Sequence, residues 1–131
     1  MEIKGNDSTR NRPEGRRTLD APFVSIDINF YMREVKNEEA WQKNDRNAIT
    51  VFKSDEITMV LSALHKNAVI TDNSTAGILI VEVLEGQIKV TVEGEEAVAG
   101  EREVVTLHRN TDHTIEAQEE SVLLLTVTGE K

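Results

Sequence analysis

The stretch that decides the fold is NAVITDNSTAGILIVEVLEG, residues 67–86. Its second half, GILIVEVLEG, is almost wholly apolar and rich in β-branched residues, which describes a strand covered on both faces. It ends at Glu85–Gly86, a turn. The next run, QIKVTVEG, alternates strictly: Ile88, Val90 and Val92 point to one side and Lys89, Thr91 and Glu93 to the other. Such a strand has one face on a core and one in water. Residues 67–77, before the apolar run, read as polar loop. The stretch is therefore one wall of a small β-structure with a loop at its rim.

Outward from this wall, the same grammar repeats. AITVFKS and EITMVLSALH precede it; AVAGEREVVTL, HTIEA and SVLLLTVTG follow QIKVTVEG. Seven short β-rich runs separated by polar turns predict a sandwich or barrel. SVLLLTVTG is apolar on both faces like GILIVEVLEG, so both need a further covering layer or a second subunit, which points to a homodimer.

Before residue 48 the pattern changes. APFVSI reads as a short strand. Ile28, Met32 and Val35 then recur at helical spacing with Tyr31 beside them, and Asp27 is placed to cap a helix over about 28–36. A turn follows in which Trp41 packs inward. The arm at 21–30 is expected to pair with a sheet edge, since open edges invite aggregation. Residues 1–20 are polar, with Gly5, Pro13 and Gly15, and read as a flexible tail. Residues 21–131 then form a single domain, a length that can bury a core unaided.

The 131 residues contain no cysteine, which excludes disulfides, thiolate metal sites and cysteine nucleophiles. Net charge is −9, so a phosphate backbone would be repelled and no nucleic-acid partner is expected. The tail is slightly basic; residues 21–131 carry 10 basic against 20 acidic side chains, so the acidity belongs to the domain. No apolar run is long enough to cross a bilayer and no apolar signal core is seen, so no membrane partner and a cytoplasmic location are expected. Ser54, Ser62, Ser74 and Ser121 lack a nucleophile-elbow context, no glycine-rich phosphate loop occurs, and the acidic pairs Glu38–Glu39, Glu95–Glu96 and Glu119–Glu120 read as solvated turns.

These residues resemble the cupin superfamily over about residues 48–128. The first cupin motif runs Gly, five residues, His-x-His, three or four residues, Glu, six residues, Gly. Aligned on Gly86, Asn67 stands at the first glycine, Asn73 and Thr75 at the two histidines and Leu79 at the glutamate. In the second motif His108 stands at the proline, Asn110 at the glycine and His113 at the histidine; Gly100, the preceding glycine, is two residues early. The ending DHTIEAQEESVLLLTV looks like the close of many small cupins, and 21–47 like the N-terminal arm of a bacterial single-domain subgroup. The resemblance implies an all-β, cupin-type double-stranded β-helix, a jelly-roll barrel with a short N-terminal helix.

A catalytic divalent ion in such a barrel takes about three or four protein ligands, mostly imidazole and carboxylate. Only His113 remains at a ligand position. Asn73 and Thr75 offer neutral oxygens and Leu79 offers none, so no cofactor is expected. His113, Asn73 and Thr75 are expected to line the barrel mouth and to suit hydrogen bonds to a small polar ligand. His65 is expected to be solvated at a strand end, and His108 can point either way. The alternative is a metal-dependent oxygenase or isomerase in which His113 acts with Asp72 or another histidine, although strand alternation sets Asp72 opposite in facing to Asn73. Whether Leu79, Val81 and Val83 fill the barrel is left open by the sequence.

Overall fold

The computed structural model describes residues 4–5, 18–72 and 76–128. Within them, β1 (Lys4–Gly5) pairs with β2 (Thr18–Asp20). Two helices follow, α1 (Ile28–Asn37) and α2 (Glu39–Lys43). Nine further strands follow: β3 (Arg46–Lys53), β4 (Ile57–Leu64), β5 (Val69–Asp72), β6 (Leu79–Glu85), β7 (Gln87–Val92), β8 (Glu95–Gly100), β9 (Val104–Leu107), β10 (His113–Ala117) and β11 (Ser121–Thr128). They form two antiparallel sheets with orders β5-β10-β7-β8 and β3-β4-β11-β6-β9. This is the jelly-roll arrangement expected.

One of the seven predicted runs and one predicted loop resolve differently. AVAGEREVVTL splits at Glu101–Glu103 into β8 and β9, which belong to different sheets. The stretch 66–77, read as loop, contains β5, paired with β10 from Val69↔Glu116 to Asp72↔His113. Lys66–Asn67 make the turn before it, and Asn67 takes φ +76°.

The N-terminal region departs from expectation in two places. Thr18–Asp20, assigned to the tail by composition, form a strand in which Leu19 is buried. APFVSI is not a strand; it runs irregularly, with Phe23 83 % exposed and Ile26 packed toward the helices. The helix, by contrast, lies where its spacing put it. Asp27 caps α1 by accepting from the Phe30 backbone N–H at 3.1 Å. Val35 is fully buried, and Ile28, Tyr31 and Met32 pack against the same cluster.

That cluster explains the strands that are apolar on both faces. One core lies between the sheets and holds Leu79, Val81, Val83, Ile88, Ile115 and Leu123 among others. A second lies on the outer face of the five-stranded sheet, where Val35 and Trp41 cover Ile49, Val51, Leu61, Ala63 and Val122. On β11, Val122 and Leu123 are adjacent, both fully buried, and belong to different cores. The extra layer is thus the chain's own helices, and a second subunit is not required to supply it.

Trp41 and His65 lock that layer. Their rings stack with centroids 3.5 Å apart and planes 13° from parallel. His65 Nε2 lies 3.0 Å from the Trp41 carbonyl oxygen; a carbonyl only accepts, so the ring nitrogen donates. His65 is therefore an inter-element tie and not the solvated strand end expected. Lys36 ties the helix at its other end, to Glu85 and Glu120 at 2.8 Å each. Burial alone would lower its pKa; the two carboxylates outweigh that and hold it above the ordinary lysine value.

The Glu85–Gly86 turn is crowded against the start of β11. Gly86 has φ +92°, and a Cβ there would collide with Glu120 O and Ser121 Oγ. The buried Ser121 hydroxyl accepts from Gln87 N at 3.1 Å and lies 2.8 Å from Glu119 O, pinning the turn to the start of β11. Gly86→Ala should therefore lower stability by more than about 2 kcal/mol in urea denaturation. Gly94→Ala, at φ +82° with open space around the site, should cost only about 1 kcal/mol. Equal losses at the two sites would contradict the close approach at Gly86.

Candidate functional site

β10 carries its side chains in alternation: His113, Ile115 and Ala117 are buried, while Thr114 and Glu116 are half-exposed. His113 begins the strand at 5 % exposure, on the inner face with Ile115. Its Nδ1 lies 2.9 Å from Thr111 O, again a ring N–H donated to a carbonyl. In the tautomer that donates from Nδ1, Nε2 is the nitrogen free to accept from the cavity side.

Ligand positions can now be placed on the ladder. Ile70 packs into the inter-sheet core and pairs with Ile115; two residues on, Asp72 pairs with His113. Asp72 and His113 are the last register pair of this ladder. Asn73 and Thr75 lie outside the described residues.

Leu79, at the glutamate position, is 5 % exposed within the inter-sheet core, paired with Leu107 on one side and Val127 on the other. Val81 and Val83 continue its face with no exposure. The barrel interior is filled by side chains along β6. No group of three or more His, Asp or Glu side chains that could hold a metal ion occurs among the described residues.

The motifs keep their backbone where they have lost their letters. Asn67, at the first glycine, has φ +76°, and Asn110, at the glycine of the second motif, has φ +60°. Asparagine is, after glycine, among the residues that enter this left-handed region most readily.

Beside the mouth lies a cleft of about 450 Å³ between the β7–β8 hairpin and β9. Val90, Val92, Val105 and Leu107 supply apolar lining, and His108 and Thr111 stand at its His113 end. The cleft exists because β8 and β9 are the edges of different sheets, with no ladder between them. The sequence did not show it, because the turn at Gly100–Glu101 does not say that the strands on either side join different sheets. His108 is exposed and faces this cleft.

No family model matches the sequence, and no curated protein matches it. Solved structures do. A cupin superfamily protein from Desulfitobacterium hafniense DCB-2 superposes with TM-score 0.64 at 14 % identity, over 66 % of this chain and 80 % of that one. An RmlC-like cupin from Shewanella frigidimarina NCIMB 400 gives 0.61 at 17 % identity, over 66 % and 78 %. A conserved protein of unknown function from Streptococcus pyogenes gives 0.68 at 19 % identity, over 86 % and 93 %. The chain has the cupin fold.

If Leu79 occupies a sealed apolar position, restoring the family's acid should harm the protein. Leu79→Glu should lose more than about 3 kcal/mol by thermal or urea unfolding, from an unpaired buried carboxylate. Added Mn²⁺, Ni²⁺ or Zn²⁺ should not recover it; recovery would show a ligand set that one acid completes.

Proposed function

We propose that this cupin-fold chain is a binding protein that takes a small molecule at its barrel mouth and holds no tightly bound catalytic metal. The site comprises His113, the segment carrying Asn73 and Thr75, and the adjoining cleft. The observation that carries the reading is Leu79. An apolar side chain buried to 5 % exposure stands where the superfamily's carboxylate ligand would, and three of the four motif letters are neutral or apolar. Neutral oxygens and one imidazole do not outcompete water for a first-row ion. They do orient a small polar molecule.

Addition of a genuine ligand at 100 times its Kd should stabilise the protein by about 2.7 kcal/mol. Thermal-shift screening of varied metabolites, with His113→Ala as the comparison, checks this. Binding that survives the substitution unchanged would move the site elsewhere.

A second reading has one specific support, the pairing of Asp72 with His113 across the ladder. It makes the chain a metal-dependent oxygenase or isomerase with His113 and Asp72 as ligands. Elemental analysis after purification without chelator separates the two. The first reading expects substoichiometric metal. Stoichiometric iron, manganese, nickel or zinc, lost in both His113→Ala and Asp72→Ala, would establish the second.

We also infer a homodimer formed through the arm at 21–30. Phe23 is 83 % exposed and Phe30 42 %, and β3 is the open edge of its sheet. An aromatic ring left in water this fully suits burial against a second copy. Phe23→Asp should shift sedimentation from dimer to monomer; a monomeric parent would refute the inference. A cytoplasmic location belongs to the same reading; no described helix is long and apolar enough to cross a membrane.

A further inference from the structure

We propose that the cleft between the β7–β8 hairpin and β9 selects a small organic cation with an apolar body. This deepens, and rests on, the reading of the mouth as a small-molecule site. Three observations carry it. The first is size: about 450 Å³ falls within the range of small-molecule sites. The second is the floor. Val90, Val92, Val105 and Leu107 come from β7 and β9, and the two valines of β7 point inward with the core strand face. Such a floor binds hydrocarbon and makes no hydrogen bond.

The third is the distribution of charge. Glu93, Glu95 and Glu96 all line the cleft, on the hairpin side. Glu96 is partly neutralised by Lys89 at 3.6 Å, and Lys89 also meets Glu116 at that distance. Glu93 and Glu95 form no ion pair among the described residues. Arg109, in the turn beyond His108, is exposed and is not among the residues facing the cleft. The only lining side chain able to carry positive charge is His108, on the β9 side of the cleft. A ligand lying along the floor with its charged end at the hairpin satisfies all three features. An anion would meet two uncompensated carboxylates. No Phe, Tyr or Trp ring lines the cleft, so discrimination comes from the carboxylates and not from cation–π contact.

The test uses one hydrocarbon skeleton in three charge states: choline, its neutral isostere 3,3-dimethylbutan-1-ol, and 3,3-dimethylbutyrate. Each is titrated into the full chain by ¹H–¹⁵N NMR. Choline should bind most tightly, with shifts concentrated at Val105, Thr106, His108 and Thr111. Its Kd should weaken about five- to tenfold in Glu93→Gln/Glu95→Gln. It should stay unchanged in Glu56→Gln/Glu119→Gln, which removes equal charge from exposed positions outside the cleft. The alcohol or the carboxylate binding in the cleft as well as choline would overturn the cation preference and leave the mouth reading standing. Choline shifts away from the cleft, or equal weakening in both double variants, would reduce the effect to general attraction by an acidic protein and overturn the proposal. Absence of cleft shifts with all three probes would overturn this proposal; the His113→Ala thermal-shift comparison would then decide the mouth reading separately.

Discussion

The structure depends on covering one pair of strands from both sides. β6 and β11 are adjacent in the five-stranded sheet, and neighbouring residues of β11 bury their side chains in opposite directions. Neither face tolerates water, because each fully buried aliphatic side chain is worth roughly 1.5–3 kcal/mol of transfer free energy. The second sheet closes one face. The helices close the other, held down by the capped start of α1, the Lys36 carboxylate pair and the stacked rings of Trp41 and His65. The mouth and its cleft are what remains at the rim once both coverings are in place.

Within that frame, shape and chemistry have separated. The left-handed turns at Asn67 and Asn110 and the crowded turn at Gly86 are set by backbone geometry, and the residues there still meet it. The ligand positions answer to a different demand, electron-pair donation toward a central ion, and Leu79 answers it with hydrocarbon. An apolar residue at that place adds to the core through its contacts with β9 and β11. Packing gains directly from that choice, and each turn supports the loops it joins.

Much of this was legible in the order of residues. Ile28, Met32 and Val35 with Asp27 before them locate the helix, because spacing and cap agree. QIKVTVEG gives its facing by strict alternation, and Leu79 could be recognised as a non-ligand from its position alone. Other features were not. Val69 and Ile70 are adjacent and both apolar, so β5 has no readable parity; only pairing with β10 decides which one enters the core. AVAGEREVVTL counts as one run although Gly100–Glu101 punctuates it, and residue order does not show that the two halves join different sheets across a short turn closed by Gly100 N to Glu103 Oε1 at 2.7 Å. APFVSI has strand-like residues, but no neighbouring strand accepts them, and propensity without a partner does not make a sheet.

The stacking of Trp41 on His65 has a consequence for how the molecule can be watched. Trp41 is the sole tryptophan, so ultraviolet emission from this protein is dominated by one seam, where the helical cover meets the end of β4. That signal is a resident gauge of whether the cover is seated. It is blind to events at the opposite rim, where an occupant could come and go without altering the indole's surroundings.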